Sequence, residues 1–212
     1  MGQSQITPYD LNAPLAEKVH QSVQSSLKNF TLEGQEPYLD SVVMHSPMET
    51  VEETLTVWKT LESYHPHKVR NLGISNTSLK VLELLHSDMA VKPAVVQNRF
   101  YPDTKYEIAL RAFAKKNDIV FQSFWTIGAN PRLLKSPPVG LVATSAGVEL
   151  VAAYYALVLG LEGVTVLDGT TDEAHMKEDL VGIEKVGIWA EGDGAKDWAN
   201  ALMAFKGIIE EP

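Results

Sequence analysis

His45 ends a β-rich run, Leu39-Asp-Ser-Val-Val-Met44, and is followed by Ser46 and Pro47. An imidazole at a strand end can donate or accept one hydrogen bond and titrates near neutrality, so it suits acid/base work or the orientation of a carbonyl. The plain alternative is a strand-end histidine satisfied by backbone groups. Ser75 and Asn76 end a second run, Val69-Arg-Asn-Leu-Gly-Ile74, and Gln97 ends a third, Ala94-Val-Val-Gln97. Amides and a hydroxyl at such places can grip the polar edge of a planar ligand. Equally, Ser75 and Asn76 can cap a following helix, and Gln97 can serve as a strand-end hydrogen bonder. Tyr9, Phe100, Tyr101, Phe124 and Trp125 lie just after predicted strands or in adjoining loops, where they can line an apolar pocket for a flat organic molecule or pack in a core. Trp125 stands apart, because it begins the most irregular stretch of the chain. His65 and His67 flank Pro66 and lack the i, i+4 spacing of a helical metal pair, so no metal site is expected there. Glu49, Glu52 and Glu53 read as a solvated helix start that complements the helix dipole.

The elements that must position these residues alternate between short β-rich runs and longer helical patterns, the sign of repeated βα units. Residues 3–7 are a candidate strand. Leu15, Val19, Val23 and Leu27 recur every four residues and predict a helix over 13–30, with Pro14 in its first turn. Strand 39–44 is followed by a helix over 49–64, with Val51, Leu55, Trp58 and Leu61 on one face. Strand 69–74 precedes a helix started by side-chain capping at Asn76-Thr-Ser-Leu79. Strand 94–97, helix 106–116 and strand 119–123 follow. Gly128, Pro131, Pro137, Pro138 and Gly140 predict a long loop over 125–140. An unusually apolar helix is expected over 145–160, a last strand over 164–167, a helix from 172, a turn over 190–195 and a terminal helix over 196–206.

Composition narrows the function classes. The net charge of −9 argues against a nucleic-acid surface, which needs clustered Lys and Arg. The absence of cysteine excludes disulfides, thiolate nucleophiles and Cys-based zinc sites. No apolar run reaches the roughly 18 residues of a membrane helix, because 148–161 is interrupted by Glu149 and Gly160. A cytoplasmic protein without a membrane partner is expected.

The runs Tyr38–Pro47, Val69–Asn76 and Lys92–Asn98 follow one another in an order and spacing that resembles the aldo-keto reductases. The likeness continues to about residue 183, through Gly169-Thr-Thr-Asp-Glu-Ala-His-Met-Lys-Glu-Asp179, a form found in fungal members of that superfamily. The resemblance implies an incomplete or rearranged (β/α)8 barrel of TIM type with about six βα units. It would form a single domain over 1–212, with its site at the C-terminal ends of the strands. Asp40 through Pro47 match the family's Asp-x-x-x-x-His-x-Pro pattern, which implies that His45 is the histidine that orients the substrate carbonyl. Ser4-Gln5-Ile6-Thr7-Pro8 stands where the family has Thr-Lys-hydrophobic-Thr-Pro, so Gln5 replaces the lysine of the catalytic set. The first two strand–helix units, which carry the family's Tyr and Asp, have no counterpart. Ser75, Asn76 and Gln97 match the residues that grip the nicotinamide carboxamide. Gly169, Thr170, Thr171, His175, Glu178 and Asp179 cover the site of the cofactor's adenosine phosphate, with the helix start as phosphate binder. Gly169 and His175 stand where the common pattern carries Lys and Arg, and Asp168 and Asp172 add negative charge.

These departures predict an enzyme that has exchanged hydride transfer for non-redox acid/base chemistry. Cyclisation, isomerisation, dehydration or carbon–carbon cleavage of a small, secondary-metabolite-like molecule would need a shaped pocket, with His45 as acid/base. No cofactor is expected on that reading. Two alternatives stay open: an oxidoreductase with weakly bound NADP and a substitute proton donor, and a non-catalytic protein or partner subunit. A six-stranded remnant leaves strand edges uncovered, so a homodimer is expected.

Overall fold

The computed structural model describes residues 7–210. Five strands form one sheet in the order β1 (Leu39–Met44), β2 (Val69–Ser75), β3 (Val95–Arg99), β4 (Val120–Phe124) and β5 (Val164–Val166). Sheet order equals chain order, the arrangement that repeated right-handed βα crossovers produce. β1 runs parallel to β2, with Leu39 opposite Val69 and Met44 opposite Ile74, and β4 runs parallel to β5, with Phe121 opposite Val164. The expected strand over 3–7 lies outside the described residues except for its last position, so five of the six expected strands are observed. Gln5 also lies outside the described residues.

The chain divides into two compact units, Met1–Val96 and Gln97–Pro212. In the first, α1 (Leu15–Phe30) and α2 (Val51–Glu62) pack together. Val23 and Leu27 supply the buried part of the α1 stripe. α2 starts on a reciprocal cap: the Thr50 hydroxyl accepts from the Glu53 amide at 3.1 Å, and the Thr50 amide donates to the Glu53 carboxylate at 3.2 Å. Trp58 is fully buried and donates its indole N–H to the Val91 carbonyl at 3.0 Å, while the Glu62 carboxylate accepts from the Val91 amide at 2.8 Å. α3 (Leu79–Asp88) is capped by Ser78, which accepts from the Val81 amide, and not by Ser75 or Asn76.

The second unit departs most from the sequence expectations. Helix 106–116 starts later, as α4 (Ile108–Lys116), because Lys105, Tyr106 and Glu107 hold positive φ in the turn before it. The expected loop over 125–140 contains α5 (Pro131–Leu134) and the first part of α6 (Pro137–Ala146). Both begin with proline, which the first helical turn accepts because its missing N–H has no partner there. The expected single helix over 145–160 is two: α6 ends at Gly147, at φ +64, and α7 (Leu150–Leu159) leaves at 110° to it. A left-handed glycine ends a helix at no steric cost. α7 is almost wholly buried, with Ala152 through Val158 inside. α8 (Glu173–Glu191) and α9 (Ala195–Ile208) complete the unit, so α8 runs into the stretch expected as a turn. Among the described residues, no single helix is long and apolar enough to cross a membrane.

Candidate functional site

In the first unit, β1 delivers His45 to its C-terminal end, exposed. The next strand holds it there. Asn76, just past β2, sits in the left-handed region at φ 50, and its side-chain amide donates to the His45 carbonyl at 2.7 Å and to the Ser75 hydroxyl at 3.2 Å. Asn is one of the few side chains that tolerate this backbone, since its amide bonds locally. Asn76 and Ser75 therefore fix the backbone that carries the imidazole. His45 also lines a groove of about 520 Å³ with Tyr9, Lys18, Met48 and the apolar faces of α1 and β1, which brings two of the sequence-derived site residues to one surface.

In the second unit, β3 and β4 alternate sharply. Asn98, Phe100, Phe121 and Ser123 are buried, whereas Gln97, Arg99, Gln122 and Phe124 are half-exposed and share the other face. On that face, Gln97 donates to Gln122 at 3.0 Å. The Arg99 guanidinium lies 4.9 Å from the Tyr101 ring centre, 5.9 Å from that of Phe124 and 4.1 Å from that of Trp125. Of the expected pocket aromatics, Phe100 is instead fully buried on the opposite face, packed against Tyr106. The turn after β4 is pinned from below. The Asn130 amide donates to the Phe100 and Thr126 carbonyls at 2.6 and 2.9 Å, and the Tyr154 hydroxyl donates to Thr126 at 2.9 Å. Trp125, at φ 53, is thereby held with its ring largely in solvent.

A cavity of about 790 Å³ opens beside Trp125, reaching Tyr155, Gly169, Thr170 and His175, with Glu149, Asp168, Glu178 and Asp179 supplying four carboxyl groups. Burial, and then the Asp168 charge, raises the Asp179 carboxyl above its ordinary value. Burial, and then Asp168, likewise raises the Tyr155 phenol, whose hydroxyl lies 3.4 Å from the Asp168 carboxylate. The segment leading into α8 is a chain of side-chain caps. Asp168 accepts from the Thr170 amide at 3.1 Å, Thr170 from the Asp172 amide at 3.1 Å, and Asp172 from the amides of Ala174 at 2.8 Å and His175 at 3.3 Å. Those last two bonds hold the Asp172 carboxyl below its ordinary value. Thr171 is exposed and takes no part in the cavity wall.

The model of the aldo/keto reductase family matches residues 14–135, more than half of the chain. The chain belongs to the aldo/keto reductase family. It is 27% identical over 198 residues to Aldo-keto reductase family 4 member C11 of Arabidopsis thaliana, covering 84% of this chain and 60% of that protein. It is 28% identical over 97 residues to the NADPH-dependent alpha-keto amide reductase of Saccharomyces cerevisiae, covering 43% of this chain and 31% of that one. Among solved structures, an aldo/keto reductase from Brucella melitensis superposes with a TM-score of 0.66 at 22% identity, over 78% of this chain and 61% of that one. A Bombyx mori aldo-keto reductase in complex with NADP does so with a TM-score of 0.66 at 18% identity, over 82% and 62%. The chain thus spans about 60% of the length of the first of these relatives, and its parallel sheet with helices is that of the family's (β/α)8 barrels.

Measured against the family's nicotinamide nucleotide, the two ends of the expected site differ. At the nicotinamide end, Ser75 closes β2 and Asn76 follows it, with the Asn76 side-chain oxygen making no hydrogen bond among the described residues, whereas Gln97 is the middle residue of β3, not its end, and donates to Gln122. At the phosphate end the fit is poor. The amides of Thr170, Asp172, Ala174 and His175, expected to receive phosphate, are taken by side chains of the protein itself, two of them carboxylates. Three residues went unnoticed in the sequence. Arg99 was detectable as the neighbour of Gln97 at strand spacing, whereas Tyr155 and Asn130 carried no motif.

Proposed function

We propose that this chain serves carbonyl oxidoreduction of the aldo/keto reductase type, using a nicotinamide nucleotide held mainly by its nicotinamide end. The carrying observation is the bond from the Asn76 amide to the His45 carbonyl, which fixes the backbone that carries an imidazole just past the C-terminal end of a barrel strand. Family membership and the NADPH dependence in the name of the yeast relative support the same reading. The nucleotide, when bound, supplies hydride. His45 donates a hydrogen bond to the substrate carbonyl, orients it and, as the substitute proton donor, passes a proton to its oxygen as hydride reaches the carbon, regaining one from water afterwards. Ser75 and Asn76 offer donors and acceptors to a carboxamide. The phosphate end contributes little, because each missing charge-assisted contact costs about 1.5–3 kcal/mol. Calorimetric titration with NADPH, paired with NADPH oxidation in the presence of 4-nitrobenzaldehyde, tests the reading. Weak, saturable binding with turnover supports it, and no binding at millimolar nucleotide overturns it.

The capped start of α8 favours a second reading, in which the chain performs non-redox acid/base chemistry at His45 without a nucleotide. An imidazole that takes and returns a proton suits isomerisation, dehydration or ring closure. Substrate turnover that is indifferent to added NADPH would select it. On either reading we propose pairing of two copies, since β1 and β5 are the edges of the sheet among the described residues. Sedimentation at micromolar concentration should then give twice the chain mass.

A further inference from the structure

We propose that Arg99 recognises a carboxylate on the substrate, so that the chain acts on carbonyl compounds that also bear a negative charge. This deepens the carbonyl reading above and rests on it. Arg99 is in β3, two residues beyond Gln97 and therefore on the same half-exposed face. Its guanidinium makes no hydrogen bond or ion pair among the described residues, and its Nε is buried without an acceptor. The Glu107 carboxylate, in the turn after β3, is engaged with Asn98 and Arg111. What surrounds Arg99 is aromatic: Trp125 at 4.1 Å, Tyr101 at 4.9 Å and Phe124 at 5.9 Å.

Stacked rings stabilise a guanidinium through its faces and leave its in-plane N–H donors unsatisfied. A planar carboxylate is the acceptor that matches that edge, and it can bind two donors at once. The same rings then flank a flat organic body attached to the carboxylate. The cage is rigid before any ligand arrives, because Asn130 and Tyr154 lock the turn that carries Trp125. In a chain of net charge −9, a cation left without an ion pair at a strand's C-terminal end is set up for an anion from outside.

The test compares 4-carboxybenzaldehyde with its neutral methyl ester, titrated without nucleotide and followed by tryptophan fluorescence and calorimetry. Wild type should bind the carboxylate at least tenfold more tightly than the ester. Arg99→Gln should reduce that preference below twofold, through a loss of carboxylate binding larger than any change in ester binding. Arg99→Lys keeps the charge but loses the planar fork, so it should retain part of the preference, and it carries the test if Arg99→Gln does not fold. An absence of preference in the wild type, or a preference that survives Arg99→Gln, overturns the proposal. Because binding is read without NADPH, an intact preference with no carbonyl reduction would remove the oxidoreductase reading and leave the carboxylate site standing.

Discussion

The strand end of the first unit and that of the second use the same backbone architecture for opposite electrostatic purposes. After β1 and β2, neutral groups hold one another: Asn76 bonds the His45 carbonyl and the Ser75 hydroxyl, with no carboxylate in the set. After β5, carboxylates do the holding, as Asp168 and Asp172 fill backbone amides and Asp179 stands close enough to Asp168 for its titration to shift. A helix start whose amides are filled from within is well ordered, but it has surrendered the donors that would attract an external anion. The first end keeps neutral hydrogen-bonding groups. At the second the helix-start amides are filled, and elsewhere in that unit Arg99, at the end of β3, stands among aromatic rings.

The largest expected effect tests the first end. His45→Ala should lower kcat/KM by about 10²–10⁴, the range of a positioned acid/base or carbonyl-orienting group. Asn76→Ala should lower it by roughly tenfold, because the imidazole remains but the strand end that carries it is no longer tied. Turnover is measured alongside melting, and an Asn76→Ala enzyme with full activity would show that the His45 backbone needs no such anchor.

The next effect is on stability and concerns the frame of the second end. A Cβ on Gly182 of α8 would lie 2.4 Å from the Ala152 Cβ of α7, so the two helices meet through a glycine. Gly182→Val should cost about 1–3 kcal/mol by overpacking. Urea denaturation reads it, and an unchanged midpoint would mean that α7 and α8 separate there without penalty.

A smaller effect separates cap from charge. Asp172→Ser keeps a side chain able to cap α8 but removes the anion that lies over its first amides. NADPH should then bind roughly tenfold more tightly by calorimetry. If affinity does not change, the carboxylates lining the cavity, and not the cap, set the weak grip.

The sequence made the first end far more legible than the second, for physical reasons. α1 and α2 bury one face each, so their periodicity shows, while β1 and β2 are short runs rich in branched apolar residues, with His45 at the end of the first. In the second unit α7 is buried on nearly every side and carries no periodic signal. Pro131 and Pro137 look like helix breakers but open helices. The break that matters is Gly147, which carries no proline beside it to mark the end of a helix, and its left-handed φ accompanies a 110° turn. The sequence marks Asn76 as a candidate, but not the bond it makes. A side chain that bonds the carbonyl of a residue 31 positions earlier leaves no trace in local spacing. Arg99 was hidden for a related reason, since its character comes from rings supplied by another strand and turn.

The smallest effect is also the most specific to the second end, because two carboxyls there should respond to pH in opposite directions. Asp179 is raised from 3.8 by burial and then by Asp168. In the unfolded chain it loses its proton near the ordinary value, while in the fold it keeps the proton longer. Stability is therefore lost as pH climbs through that window and stays reduced at neutrality. Asp179→Asn should melt higher than wild type at pH 7, by about a degree at most for so lightly buried a group, with the gain vanishing below the ordinary carboxylate range. Asp172 is lowered from 3.8 by the His175 and Ala174 amides. It contributes stability at neutral pH that disappears as pH falls through its lowered value, so Asp172→Ala should melt lower at pH 7 and match wild type in strong acid. Melting both variants across pH 2.5–7 tests the pair. Shifts of the same sign would mean that the carboxyls of this end do not divide into one that caps and one that is crowded.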